Sequence, residues 1–225
     1  MSHLIMIHGV CWGVGQSTLC RRLASAIPEV DVLWEDEFSQ PGIFTRPEFA
    51  DVADRFRRRN ADPAAGISCP PAVMLEDAYR RLVRTVRQHG RPALMGWSVL
   101  DLSEDLDWAG EEELCRHARV THDIFAPLDP VLIHLEGDIT AAFERALAQR
   151  GRAWFTGGQP VPDDQWPDRR RALLADAAVT AGRCARAFAA GGWFPALRID
   201  ATTVDADAVY DTVAEHLRQS GVQIS

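Results

Sequence analysis

The chain has 225 residues, a net charge of −8 from 24 basic and 32 acidic residues, and 47% hydrophobic residues. This acidic balance argues against nucleic acid or an anionic membrane as the main partner. No apolar run approaches the 18 or more residues of a membrane span, and no basic residue precedes the short apolar run at the start, as a signal peptide would require. We therefore expect a single globular domain over residues 1–225, without a membrane partner.

Two residue types are used in an informative way. The five cysteines are scattered and form no C-x-x-C pair, which favours a reduced, cytoplasmic protein over a disulfide scaffold or a zinc site. The chain contains no lysine, so all 24 basic residues are arginine. Chemistry that a lysine usually performs must therefore fall to another residue. The sequence leaves the oligomeric state open, with a homodimer as one option.

Short apolar runs alternate with helical patterns along the chain. Five runs predict strands, and they lie at 4–8, 31–34, 92–96, 131–135 and 196–199. Apolar residues at the helical period predict helices at 17–26, 48–59, 72–88, 111–121, 140–150, 169–190 and 205–219. The segment 151–167 is rich in Gly, Pro and Asp and is predicted to be a mobile loop. This alternation predicts a three-layer α/β fold with a parallel sheet covered on both faces, in which ligands bind at the carboxyl ends of the strands.

A glycine-rich turn joins the first predicted strand to the first helix. It reads GVCWGVGQSTL from Gly9 to Leu19. Glycines allow the backbone to approach an anion closely, and the start of a helix presents N–H groups to it. The turn resembles the Walker A loop of P-loop small-molecule and nucleoside or nucleoside-monophosphate kinases, which ends in Gly-Lys-Ser/Thr. Two departures stand out: Gln16 occupies the lysine position, and Gly9 lies one residue earlier than the pattern requires. Either the loop carries an extra residue, or Val10 replaces the glycine.

The resemblance implies a fold, a ligand and a set of contacts. It implies a five-stranded sheet in the order 2-3-1-4-5 with helices on both faces and a small lid at about residues 145–168. ATP or GTP would bind through its phosphates, and Mg²⁺ would be held by the Ser17 hydroxyl. Gln16 can donate a hydrogen bond to a phosphate oxygen but carries no charge. The nucleotide-binding residues implied are Gly13, Gly15, Gln16, Ser17, Thr18 and Arg152.

Acidic residues follow the second predicted strand, where the sequence reads Glu35-Asp36-Glu37. In the kinases that this chain resembles, an acidic residue here positions the acceptor hydroxyl and can accept its proton. Asp36 is assigned to that catalytic role, with its two neighbours as alternates, and a solvated acidic turn is the other interpretation. The third strand ends in Met95-Gly96 and lacks the acid that such kinases commonly carry there.

Arginines cluster at the end of the predicted helix 140–150. By resemblance, Arg145, Arg150 and Arg152 clamp phosphates from the lid, the first two as catalytic residues, since the guanidinium fork binds phosphate oxygens in pairs. Arg150 continues an apolar stripe and is expected to point toward the protein, although a solvated arginine-rich helix remains the alternative. His8 and His134 lie in predicted strands and are expected in the core.

Three functions remain open at this stage. The first is transfer of the γ-phosphoryl group of ATP or GTP to a hydroxyl of a small-molecule acceptor, with no nucleic acid involved. The second is a non-catalytic, pseudo-kinase role in binding a nucleotide or metabolite, favoured by the missing lysine and the missing strand-three acid. The third is nucleotide hydrolysis or another phosphoryl transfer in a reorganised site.

Overall fold

The computed structural model describes residues 4–33, 45–62, 65–68, 70–96, 110–156 and 158–225. Five parallel strands form one sheet in the order β2-β3-β1-β4-β5, which confirms the predicted order. The strands are β1 Leu4–Gly9, β2 Asp31–Leu33, β3 Ala93–Met95, β4 Pro130–Glu136 and β5 Leu197–Asp200.

Helices cover the sheet at the positions that the periodicity predicts, to within a few residues. They are α1 Gln16–Ala26, α2 Ala50–Ala61, α3 Ala72–His89, α4 Glu111–Phe125, α5 Ile139–Arg150, α6 Arg152–Phe155, α7 Trp166–Gly191 and α8 Ala206–Gln219. Short 3₁₀ turns at Pro47–Phe49 and Ala126–Leu128 precede α2 and β4. Across the described ranges, none of the helices combines the length and apolarity needed to cross a bilayer.

The strands divide the core into two layers because successive side chains of a strand point to opposite faces. Leu4 and Met6 of β1 pack in a cluster with α3, α4 and α7, a side that we call the α3 face. Ile5 and Ile7 pack with α1 and α8 on the other side, the α1 face. Apolar side chains of the strands are buried on both faces of the sheet. This agrees with the unbroken apolar runs in the sequence, which are typical of strands that are covered on both sides.

The segment predicted as a mobile loop contains ordered structure. Residues Arg152–Phe155 form the single helical turn α6, and α7 begins at Trp166 rather than at residue 169. Phe155 and Trp166 are buried in a small cluster with Phe143 and Ala146 of α5. The prediction of a mobile loop was wrong because it was based on the glycines and prolines of this segment. It did not consider the aromatic side chains that pack the segment against α5.

Candidate phosphate and acceptor site

Residues 10–15 connect β1 directly to α1 at the carboxyl edge of the sheet, and we call this segment the phosphate loop after the role predicted for it. Gly15 is the N-cap of α1 with a φ of 103°, and no side chain caps the helix. The helical ladder starts with the hydrogen bond from Leu19 N to Gly15 O at 2.9 Å. The N–H groups before Leu19 therefore have no acceptor within the helix, and the helix dipole places partial positive charge at the same point. This is the local arrangement that an anion requires.

Gly9 decides between the two alignments that the sequence left open. A Cβ at Gly9 would lie 2.5 Å from Val14 Cγ1 and 3.2 Å from Gln16 Oε1, so no larger residue fits. This favours Gly9, the residue before the loop, as the counterpart of the first glycine in the kinase pattern. Five residues separate it from Gly15, where that pattern has four, so this alignment implies one extra residue, and the assignment as a Walker A loop stays a prediction.

The two remaining loop glycines serve different purposes. A Cβ at Gly13 would lie 2.1 Å from the backbone oxygen of Ala142, so this glycine lets the loop rest directly on α5. At Gly15, no heavy atom of the described residues comes within 4 Å of a built Cβ. The α-carbon of Gly15 therefore faces the open side of the loop, where an anion would approach.

Gln16 is turned back toward the sheet. Its Nε2 donates a hydrogen bond of 2.7 Å to the backbone oxygen of Ile7 in β1, and the side chain is partly buried. In this arrangement the amide fixes the base of the loop to the strand. The neighbouring Ser17 and Thr18 are exposed at the start of α1 and are open to a ligand.

Few protein groups beside the loop could hold Mg²⁺. The described residues contain no group of three or more His, Cys, Asp or Glu side chains arranged for a metal ion. Ser17 presents an exposed hydroxyl at the helix start, which suits Mg²⁺ because this ion keeps several waters and is usually held by few protein oxygens together with substrate phosphates. The residues present therefore fit a phosphate-bound Mg²⁺ rather than an ion in a cage of protein ligands.

Arg145 links the phosphate loop to the turn after β5. Its Nη1 donates to the backbone oxygens of Ala201 at 3.1 Å and Gly13 at 3.5 Å, and the side chain is partly buried. Among the described residues, it is the one predicted lid arginine that bonds to the loop. It holds backbone in place, and its role toward phosphate stays a prediction.

Arg150 and Arg152 lie farther out, in the segment predicted to be a lid. The Arg150 guanidinium stacks on the ring of Trp154, 4.3 Å from its centroid, and the residue is exposed. The expectation that Arg150 points into the protein is wrong, because α5 extends beyond the core there and Trp154 is itself 44% exposed. Arg152 forms an ion pair with Asp163 and lies 5.0 Å over the Trp166 ring.

Trp12, which the sequence reasoning did not select, connects the phosphate loop to the lid. Its ring meets those of Phe155 and Trp154 edge to face, with centroids 5.7 Å and 6.4 Å apart. The sequence did offer a signal for this contact. The turn is one residue longer than the kinase pattern and contains a tryptophan, and a large apolar side chain on a surface turn usually packs against a neighbouring element. Cys11 beside it is not a nucleophile, since burial and the nearby Asp138 carboxylate raise the pKa of its thiol to about 11.

Two histidines lie together on the α3 face. His8 and His134 occupy the same register position on β1 and β4, and their rings stack with centroids 5.1 Å apart and planes 20° from parallel. Phe188 of α7 meets the His8 ring edge-on at 4.9 Å, and His8 is 3% exposed. The expected core position is confirmed for His8, whereas His134 is only partly buried. Their pairing was not predicted, because it follows from the register of two strands that are far apart in sequence.

A second polar cluster joins α3 to α4 on the same face. Arg116 Nη2 donates to Glu76 Oε1 at 2.7 Å, and His117 Nδ1 lies 3.1 Å from the same oxygen. Burial opposes ionisation of Glu76, but hydrogen bonds from His117 and Arg116 outweigh it and lower the pKa of the carboxyl. A buried carboxylate is thereby held ionised near the helix ends at the carboxyl edge of the sheet.

The predicted acceptor residues follow the second strand. Asp36, with its alternates Glu35 and Glu37, lies outside the described residues. Their assignment rests on the sequence alone.

Comparisons with known proteins support the fold. No family model matches the chain, and no curated protein is similar to it in sequence. Among solved structures, a deoxyadenosine kinase from M. mycoides with bound dATP superposes with a TM-score of 0.50 at 12% identity, covering 95% of this chain and 98% of that one.

Two further solved structures give lower scores. The same kinase with bound dCTP gives a TM-score of 0.48 at 12% identity, covering 96% of this chain and 99% of that one. A tRNA isopentenylpyrophosphate transferase from Staphylococcus epidermidis gives 0.48 at 8% identity, covering 98% of this chain and all of that one. The strand order and the first of these superpositions establish the α/β fold of P-loop kinases for this chain.

Proposed function

We propose that this protein transfers the γ-phosphoryl group of ATP or GTP to a hydroxyl group of a small molecule. The observation that carries the proposal is the start of α1, where an uncapped helix follows a loop whose glycines at 13 and 15 have φ angles of 79° and 103°. Within this fold such a helix start is a site for phosphate. No partner other than nucleotide and small-molecule acceptor is required, and we assign the protein to the cytoplasm.

The proposed roles follow from the resemblance to P-loop kinases and, for the described residues, from their positions. Backbone N–H groups at Gly15–Thr18 would hold the phosphates, and Ser17 would hold Mg²⁺, which neutralises phosphate charge when bound. Asp36 would position the acceptor hydroxyl over β2 and β3. Because Gln16 is uncharged and the chain has no lysine, any positive side-chain charge at the phosphates has to come from arginine, and we assign it to the lid arginines. Arg150 and Arg152 are the better placed to move, since their partners lie in the lid itself.

A second candidate function is nucleotide or metabolite binding without catalysis. The hydrogen bond from Gln16 to Ile7 favours it, because the residue at the lysine position is used to hold the loop and adds no charge at the phosphates. The two functions differ in one measurable respect: only the first predicts loss of the γ-phosphoryl group from a bound nucleotide. Release of inorganic phosphate without an acceptor would point to hydrolysis.

The test uses Gly15→Val with Gly221→Val as its control. Both glycines have positive φ angles, 103° and 85°, and at neither does a described atom lie within 4 Å of a built Cβ. The backbone strain is therefore matched, but only residue 15 lies at the loop. We expect Gly15→Val to weaken binding of ATP or GTP at least about 10-fold in titration calorimetry, since a 1.4 kcal/mol loss corresponds to that factor. Gly221→Val should bind as the parent does. Equal binding by both variants would contradict the loop assignment, and analysis of the products from the parent separates transfer from binding alone.

A further inference from the structure

We propose that Trp12 couples the phosphate loop to the lid arginine Arg150, so that phosphate bound at the loop and the position of this cation depend on each other. The inference rests on the proposed function and adds a positioning residue to it. It starts from a chain of contacts that leads from the Trp12 ring through the Trp154 ring to the Arg150 guanidinium. Such coupling is reciprocal, because whatever holds the cation near the phosphates also favours phosphate at the loop.

The backbone next to Trp12 is held against α5. A Cβ at Gly13 would lie 2.1 Å from the backbone oxygen of Ala142 and 2.9 Å from Ala146 Cβ, so loop and helix are in direct contact there. Arg145 of the same helix donates a hydrogen bond of 3.5 Å to the Gly13 oxygen. The Trp12 side chain therefore projects from backbone that α5 holds in place.

The Trp12 ring lies against the helical turn α6 at the surface of the protein. It meets the rings of Phe155 and Trp154 edge to face, with interplanar angles of 80° and 81°. Phe155 is buried and packs on Phe143 of α5 at a centroid distance of 4.6 Å. Trp12 and Trp154 are 37% and 44% exposed, so neither gains the stability of full burial. Their contact thus joins two surface segments rather than completing the core.

Arg150 carries the lid charge that the proposed site requires. Its guanidinium lies 4.3 Å from the centroid of the Trp154 ring, and within the described part of the chain no carboxylate forms an ion pair with it. By contrast, Arg152 is paired with Asp163. Stacking supports the guanidinium plane on one side and leaves the N–H groups at its rim available to bind phosphate oxygens in pairs.

The three side chains act together because Trp154 contacts the other two. An outward movement of α6 carries Arg150 away from the loop only if the contact between Trp12 and Trp154 breaks. Aromatic pairs in this geometry are more stable than the area they bury accounts for. A bound phosphate that attracts Arg150 in turn favours the same contact. Trp12 thereby sets where the positive charge that Gln16 lacks is supplied.

The first experiment measures the attachment of the lid without a nucleotide. Trypsin cleaves only after arginine in this lysine-free chain, and the exposed residues Arg150 and Arg152 flank the start of α6. We expect Trp12→Ala to raise the rate of cleavage after these two residues about 10-fold, because α6 opens more often. Trp12→Phe keeps an aromatic ring and should stay within about 2-fold of the parent. Phe194→Ala is the control, since Phe194 is 76% exposed and lies before β5, and it should be cleaved as the parent is.

The second experiment measures the coupling to phosphate, with ATP as the probe in titration calorimetry. Trp12→Ala, Arg150→Ala and the double variant are compared with the parent. We expect each single substitution to weaken ATP binding about 10-fold, because both remove the same cation from the phosphates. For the same reason, the double variant should bind no more than about 2-fold more weakly than either single variant. Trp12→Phe and Phe194→Ala should bind ATP as the parent does.

The possible outcomes separate this inference from the proposed function. Losses that multiply in the double variant, or a loss in Trp12→Ala far beyond that in Arg150→Ala, would mean that Trp12 acts on the loop alone and would overturn the coupling. Weakened ATP binding by Trp12→Ala with parent-like cleavage after Arg150 would overturn it as well. Parent-like ATP binding by both single variants overturns this inference alone, whereas a parent that does not bind ATP overturns it together with the transfer proposal.

Discussion

The two faces of the sheet are built differently, although the same five strands supply both. On the α1 face the strand residues Ile5 and Ile7 meet only apolar side chains within a cluster that α1 and α8 complete. On the α3 face the buried layer also contains polar groups. Among the described residues, the buried polar side chains all belong to this face or to the helices that cover it, and they are His8, Glu48, Glu76, His117 and Thr121.

This difference reflects the free-energy cost of burying polar groups. A buried polar group costs free energy unless it is hydrogen-bonded, so an apolar layer is the less demanding solution wherever only stability matters. The buried layer of the α1 face is apolar, and it includes Val14 of the phosphate loop. The buried polar groups of the α3 face lie toward both edges of the sheet. Glu76 lies near the start of α3, whereas Glu48 pairs with Arg46, which also bonds to Asp31 at the start of β2.

The largest effect is expected from a change that forces the α3 face apart. A Cβ at Gly191 would lie 2.7 Å from Ala118 Cβ and 2.8 Å from the Ala118 carbonyl carbon, so Gly191→Ala pushes α7 away from α4. We expect a loss of about 3 kcal/mol in the free energy of unfolding, measured by urea denaturation, as for overpacking against fixed neighbours. Gly182→Ala is the control in the same helix. Its nearest neighbour would be the flexible Arg186 side chain at 3.5 Å, so it should gain up to about 1 kcal/mol from helix propensity. Similar losses in both variants would show that α4 and α7 are not in close contact.

The second prediction concerns the acid sensitivity of the α3 face. Glu76→Gln removes the negative charge that Arg116 and His117 both contact, and it should lower the free energy of unfolding by about 2 kcal/mol at pH 7. The loss should be no larger, because Arg116 retains Glu113 as a partner. The pKa of Glu76 is lowered in the folded state, so its contribution is complete above the ordinary value for a glutamate and is lost as the pH falls through the lowered value.

Urea denaturation of parent and variant at pH 7 and near pH 3 checks this sign. The parent should lose more stability on acidification than Glu76→Gln does, and the gap between the two proteins should narrow. A gap that stays constant with pH would mean that Glu76 is not ionised in the folded protein. Glu48, whose pKa is also lowered, is unchanged in both proteins and contributes equally to each.

The smallest effect is expected on the α1 face, where the change removes a single helix cap at the surface. The Asp205 carboxylate accepts a hydrogen bond of 2.8 Å from Ala208 N and caps α8. Asp205→Ala should lower the free energy of unfolding by about 1 kcal/mol, the usual value for an N-cap. Asp211→Ala, on the exposed side of the same helix, should change stability by less than about 0.5 kcal/mol. The measurement is again urea denaturation, and indistinguishable variants would show that this cap does not stabilise α8.

Much of the fold could be predicted because the relevant information is local. The strand at residues 4–9 shows as an unbroken apolar run, and α3 shows as a stripe of apolar residues at helical spacing that ends at Gly90 with a φ of 66°. Failures came where the partner is distant in sequence. The stripe 139–143–147 gave no sign that Arg150 would lie beyond the core against Trp154, and the composition of 151–167 gave no sign that Phe155 would pack on α5.

The sequence by itself determined the order of the elements and the position of the glycine-rich turn at the start of α1. It also determined that no lysine is present to supply a positive charge at that turn. Each of these is set by residue type and spacing along a few turns of chain. The tertiary structure decided that Gln16 bonds to Ile7, that Arg145 joins Gly13 to Ala201, and that His8 stacks on His134. The latter two depend on which strands become neighbours and in what register, and the Gln16 bond on how the loop turns back onto β1. Strand pairing and loop geometry follow from burial of the whole chain rather than from any short segment.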